Sequence, residues 1–322
     1  MSIPRKVELI DIPEPTLDSA PGSGEPGDII FQPELACLCG SDMPFFQGGY
    51  PECVPQVGHS LHEMIGTVVD TNGKRFKPGD RVLAVPVFQV GLFERYRVTE
   101  ARAIPLDPRV PDDHAVLAQP LGTVIYALRK LPNLLDWNVV VVGQGPMGQL
   151  LCATLRNLGA RQIIVVDRVD YRLEVSRRMG ATAVINAEKQ DPVEAVSELT
   201  GGVMADLVIE AVGHGEQVFN LCTDLCREHG RILFFGVPPA TIDGLRWLDL
   251  FMKNINVQTT VNPDFERDFP LAMQWIAEGR IDVSPLVTHR YPLAQIQEAF
   301  ELYEQRRDGA LKVFVDFPSG QK

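Results

Sequence analysis

The six residues Gly143-Gln144-Gly145-Pro146-Met147-Gly148 have the types and spacing needed to hold a dinucleotide. The first glycine permits a tight turn, the second lets a pyrophosphate approach the backbone, and the third lets a helix sit close to a strand. Pro146 and Met147 open the helix that follows, whose N-terminus offers free N–H groups and a partial positive charge to phosphate. Asp167 lies 19 residues beyond Gly148. An acid at that distance accepts hydrogen bonds from the adenosine ribose hydroxyls and repels a 2′-phosphate, which predicts NAD rather than NADP. Arg168, next in the chain, opposes that preference.

These residues can work only if particular elements place them. The Val-rich run 138–142 reads as the strand before the turn and 147–158 as the helix after it. Further strands are expected at 162–166, 183–185, 207–210, 231–235 and 256–260. Helices are expected between them at 172–179, 192–200, 216–226 and 245–253. Such alternation predicts a doubly wound parallel sheet of the Rossmann type, an α/β fold covered on both faces. The first 120 residues are rich in Pro, Gly and short β-type runs, and read as an irregular, mainly β region. The last sixty hold helices at 269–278 and 293–306 and a closing strand at 312–315. The expected division is 1–120 with 262–322 as one domain and 121–261 as the other.

The 322 residues have a mean hydropathy near zero and a net charge of −12. The basic residues are scattered, so neither nucleic acid nor an anionic membrane surface is an expected partner. No apolar run reaches the ~18 residues of a membrane span. The first residues lack the apolar core of a secretory signal, which predicts a cytoplasmic protein. The six cysteines are Cys37, Cys39, Cys53, Cys152, Cys222 and Cys226. In that compartment they are expected as thiols.

A second constellation comes before the dinucleotide region: Cys39-Gly40-Ser41-Asp42, then His62-Glu63-Met64-Ile65-Gly66, then Lys77-Pro78-Gly79-Asp80-Arg81-Val82. In this order and over nearly the whole chain, the sequence resembles the zinc-type medium-chain dehydrogenases/reductases. The resemblance implies a Rossmann domain inserted in a mainly β, GroES-like catalytic domain. It makes Cys39 and His62 metal ligands, and Glu63 a carboxylate that binds the metal or moves aside as ligands exchange. Asp42 would orient the His62 imidazole, and Ser41 would pass the substrate proton. Thiolate, imidazole and carboxyl oxygen are donors that zinc accepts, with one position left open in a catalytic site. Gly58-His59-Ser60 imitates the same motif, but Glu63 and Gly66 keep their spacing only from His62. His59 is then a pocket-lining or hydrogen-bonded histidine. Cys37 points the same way as Cys39 if both lie in a strand, and either approaches the metal or is a small buried thiol.

Three departures from the family stand out. The remaining ligand position holds Gln119, a neutral and weaker donor. Pro44 stands where a histidine often extends the proton relay. The chain also passes directly from Pro86-Val87-Phe88 to Gly91, without the cysteine-rich lobe that holds a structural zinc, so one metal per chain is expected. By resemblance, Ala211, Val212, Gly213, Phe235, Gly236 and Val237 lie along the nicotinamide half of the cofactor. Phe88, His59 and Phe45 are expected near the substrate.

The implied activity is hydride transfer between NAD(H) and a small alcohol, polyol or sugar, or the matching carbonyl, with zinc as Lewis acid. The alternatives are a zinc-free reductase of activated double bonds or quinones, and an inactive NAD-binding regulatory protein. The family pairs two copies through the sheet edge near residues 255–261, which predicts a homodimer or homotetramer.

Overall fold

The computed structural model of the chain describes residues 4–17, 25–48, 57–213 and 216–318; Cys53 lies outside them. The chain divides into two compact units. One comprises Met1–Gly122, Asp264–Gly279 and Leu286–Lys322; the other comprises Thr123–Pro263 and Arg280–Pro285.

The first unit begins with β1 (Asp28–Cys37), β2 (Glu63–Thr71), β3 (Arg81–Ala84), β4 (Tyr96–Thr99) and β5 (Ala103–Pro105). The second unit contributes β6 (Asn138–Val142), β7 (Gln162–Asp167), β8 (Ala183–Asn186), β9 (Ala205–Glu210), β10 (Cys226–Phe234) and β11 (Asn256–Thr259). The chain then returns to the first unit with β12 (Val287–Pro292) and β13 (Lys312–Asp316).

In the first unit the sheet runs β12-β13-β1-β2-β3-β5, with β4 also paired to β1. Strand β1 is central and lies antiparallel to β2, β4 and β13. Alternate residues face a core that includes Phe31, Ala36, Leu38, Met64, Val313, Val315 and Phe300. Residues between them in sequence, among them Cys37, Glu63, Lys312 and Phe314, point to the other face, as the two-residue period of a strand requires.

The second unit is a parallel sheet in the order β11-β10-β9-β6-β7-β8. All five residues of β6 are buried, as expected for a strand covered on both faces. The strand order reverses about β6, so the carboxyl ends of β6 and β9 border the crevice where such sheets bind ligands. The helix expected through Cys226 ends at Leu225, and Cys226 starts β10 beside Ala205. A register shift follows before Arg231. The helix expected over 293–306 starts as a 3-10 turn, Leu293–Gln295, and becomes α-helical at Ile296–Gln305.

Candidate metal and cofactor sites

The candidate metal ligands are positioned by a tight turn and the start of a strand. Beyond β1, Cys39 precedes the 3-10 turn Gly40–Asp42. The fully buried Asp42 ties two segments together. Its Oδ2 accepts the Cys39 N–H at 2.8 Å, and its Oδ1 accepts the Leu61 N–H at 3.0 Å. The approach to His62 is sharply turned: Ser60 and Leu61 have φ of 109° and 64°. Hydrogen bonds from Ser60 N–H to Gln89 O and from Gly91 N–H to Ser60 O hold this turn against the chain at 89–91. Left-handed backbone at two successive side-chain-bearing residues is costly and persists only when such surroundings impose it.

One donor atom from each of Cys39, His62 and Glu63 lies within 4.8 Å of the others. His62 Nδ1 stands 3.7 Å from Asp42 Oδ1, too far for a hydrogen bond. Both His62 Nδ1 and Glu63 Oε1 are buried without a hydrogen-bond partner. Thiol, imidazole and carboxylate gathered in this way, with buried atoms left unpartnered, fit a zinc ion. Burial by itself would lower the pKa of His62, but Asp42 and Cys39 outweigh it and hold the imidazole well above its ordinary range. Gln119 is buried in the first turn of the helix Ala118–Arg129. Ser41 is half-buried in the turn with Asp42.

Sequence reasoning missed the groups that hold Glu63. Lys312, fully buried in β13, donates from Nζ to Glu63 Oε2 and to Leu38 O, the latter at 3.3 Å. Cys37 Sγ donates to the same carboxylate oxygen at 2.7 Å. Burial, and then the Glu63 carboxylate, push the Cys37 thiol well above its ordinary range, which keeps it a donor. Cys37 is not in the cluster formed by Cys39, His62 and Glu63.

His59 is also outside that cluster. Its ring lies 4.6 Å from that of Phe45, and burial lowers its pKa. Phe88, by contrast, is 85% exposed and has a φ of 53°.

In the second unit, the expected cofactor residues stand at or just beyond the carboxyl ends of β6, β7, β9 and β10, with Pro146, Met147 and Gly148 in the first turn of the helix after β6. Gly143 follows β6 with a φ of 97°, and a Cβ on Gly148 would fall 2.0 Å from Gly143 O. Gly145 caps the helix Pro146–Asn157, which starts with Pro146 and Met147, and no side chain closes that terminus. Asp167 ends β7. Its Oδ2 accepts the Gln144 N–H at 2.6 Å, and its Oδ1 accepts those of Arg168 and Val169 at 2.7 and 2.9 Å. Arg172 lies 3.9 Å from Asp167, while the exposed Arg168 lies 3.5 Å from Glu188.

Glu210, at the end of β9, is a second missed residue. Its Oε1 accepts the N–H groups of Val212 and Gly213, both at 2.9 Å. Its backbone oxygen accepts those of Phe235 and Gly236, both at 3.0 Å. One residue thus joins the Ala211-Val212-Gly213 and Phe235-Gly236-Val237 segments. Burial raises its pKa against the opposing effect of the Gly213, Val212 and Gly236 N–H groups.

Two family models match this chain. An alcohol dehydrogenase GroES-like domain matches residues 25–105, and a zinc-binding dehydrogenase domain matches residues 146–278. The chain belongs to the zinc-type medium-chain dehydrogenase/reductase family. L-threonine 3-dehydrogenase of Escherichia fergusonii is 25% identical, with 94% of each chain aligned. The enzyme of the same name from Bacillus licheniformis is 31% identical over 71% of this chain and 66% of its own. The structure of alcohol dehydrogenase TADH from Thermus sp. ATN1 superposes with a TM-score of 0.87 at 26% identity, covering 98% of both chains. As a member of this family, the protein is a zinc-type, nicotinamide-linked oxidoreductase. Among the described residues, no helix is long and apolar enough to cross a membrane.

Proposed function

We propose that this dehydrogenase uses NAD(H) in preference to NADP(H) and holds one catalytic zinc on Cys39, His62 and Glu63, with Gln119 completing the set. The observation that carries this reading is the three-residue cluster with two unpartnered buried atoms. When bound, zinc would supply Lewis acidity toward the substrate oxygen, and the nicotinamide would give or take the hydride.

The remaining work falls to the chain itself. Asp42 fixes the turn that carries Cys39 and the backbone leading to His62. Ser41, in that turn, accepts the substrate hydroxyl proton during oxidation. With Pro44 beyond it, water or Glu63 carries the proton onward. The open N-terminus of Pro146–Asn157 binds the pyrophosphate, and Asp167 binds the adenosine ribose. Glu210 holds the two backbone segments assigned to the nicotinamide end. His59, Phe45 and Phe88 line the substrate side, and a polyol or small alcohol is the substrate class. The described cysteines are all free, and four of the five are buried. Structural thiols of this kind fit a reducing compartment, the cytoplasm.

Metal analysis of protein purified without chelator, paired with an oxidation screen of alcohols and polyols, tests this reading. About one zinc per chain and turnover with NAD are expected. A metal-free protein that reduces quinones or activated double bonds, or one that turns over no substrate, would overturn it.

A further inference from the structure

Three neighbouring strands place Lys312, Cys37 and Glu63 on one face of the first sheet. Cys37 pairs directly with Glu63 of β2 and with Phe314 of β13, and Lys312 stands two positions from Phe314. Directly opposed residues of antiparallel strands share a face, so this register places the thiol against the carboxylate. Both donors, Cys37 Sγ and Lys312 Nζ, converge on Oε2, whereas Oε1 is buried with no hydrogen-bond partner, and one oxygen of this carboxylate lies within 4.8 Å of a donor atom of Cys39 and of His62.

We propose that Cys37 is a positioning residue for the metal: together with Lys312 it holds Oε2 of Glu63 and so presents Oε1 toward Cys39 and His62. The terminal torsion of a glutamate is broad and roughly two-fold. A single donor on one oxygen therefore leaves the carboxylate plane free to swing. Two donors, reaching the same oxygen from β1 and β13, fix both the plane and the identity of the free oxygen. The thiol adds this constraint without adding charge, so Lys312 remains the only cation in direct contact with Glu63 among the described residues. Cys37 stands outside the three-residue cluster and its side-chain hydrogen bond goes to Glu63, so its effect passes through Glu63. The inference rests on the zinc reading above.

The test uses full-length protein carrying Cys37→Ala or Cys37→Ser, loaded with zinc or cobalt(II). Loss of an outer-shell hydrogen bond lowers metal affinity ~10–100-fold, and Cys37→Ala should release zinc to a chromogenic chelator faster by a comparable factor. Its cobalt(II) visible spectrum should change, because the carboxylate ligand is no longer fixed. Cys37→Ser keeps a donor and should restore both properties toward those of the unmodified protein. Thermal melting of the metal-free forms separates these effects from misfolding, and Cys37→Val fills the space without a donor if the alanine variant does not fold. Release rates and spectra in the donor-free variant that match the unmodified protein would overturn the positioning role alone. Failure of the unmodified protein to take up either metal would overturn the zinc reading and this inference with it.

Discussion

At the scale of single residues, the two neighbouring histidines are told apart by what surrounds them. His62 shares a cluster with a thiol and a carboxylate, whereas His59 lies against the Phe45 ring. Removing an inner ligand should weaken zinc binding at least as much as the ~10–100-fold typical of an outer-shell change. His62→Ala should therefore lose zinc, and His59→Ala should keep it; metal content after dialysis reads the difference. The reverse pattern would reassign the ligand. Asp167 permits a second residue-level prediction. Charge-assisted hydrogen bonds contribute ~1.5–3 kcal/mol, so NAD should be favoured over NADP on the order of tenfold to a hundredfold. Asp167→Ser removes the repulsion of a 2′-phosphate and releases Arg172, now 3.9 Å from the carboxylate. The preference, measured as kcat/KM with each cofactor, should then move toward NADP. An unchanged ratio would remove Asp167 from the cofactor site.

At the scale of elements, the strand-turn-helix around β6 was legible from sequence because its constraints are local. The apolar run, the glycine spacing and Asp167 all fall within one βαβ unit. The close approach of Gly148 to Gly143 can be tested directly. An added Cβ would sit 2.0 Å from a backbone oxygen, which cannot move without displacing the turn. Gly148→Ala should thus destabilise the protein by ~1–3 kcal/mol, the usual range for overpacking. It should also weaken NADH binding, read by fluorescence titration; unchanged binding and melting temperature would argue against this packing. The grip on Glu63 was not legible, because Lys312 is 249 positions away in sequence and joins β1 only when the chain's end returns to the first unit. The two-residue period puts Cys37 on the face of Cys39 only if both lie in a strand, but β1 ends at Cys37, and the partner of its thiol depends on the register of β2. That register is shifted twice, between Ile30 and Phe31 and between Pro33 and Leu35. The second shift also explains the motif's Gly66, which pairs with Pro33 and whose Cβ would fall 2.0 Å from Gln32 O. Strand β12 escaped notice because its residues alternate between half-buried and exposed, without an apolar run.

At the scale of the molecule, the second unit leaves an apolar surface that calls for a partner, and we propose a second copy of the chain. Among the described residues strand β11 is the edge of its sheet, so one row of its backbone N–H and C=O groups has no neighbouring strand. The preceding helix Trp247–Met252 exposes Trp247, Leu248, Phe251 and Met252, and Val261 follows the strand; each is at least 65% exposed. Burying a large apolar side chain contributes ~1.5–3 kcal/mol, so the group as a whole is a strong drive to associate. Two edges related by a two-fold axis pair in antiparallel fashion, each copy offering the other the same patch. Opposing this, each copy carries a net charge of −12, and repulsion between copies acts over roughly 8 Å at physiological salt. Association should therefore strengthen as salt is raised, the reverse of an interface held by ion pairs. Light scattering at micromolar concentration should give a dimer or a multiple of it. Phe251→Glu, which places a carboxylate in the apolar patch, should shift the mass toward the monomer while leaving zinc content unchanged, since the proposed metal ligands belong to the other unit. A monomeric unmodified protein, or a dimer insensitive to Phe251→Glu and weakened by salt, would show that this face is not the contact.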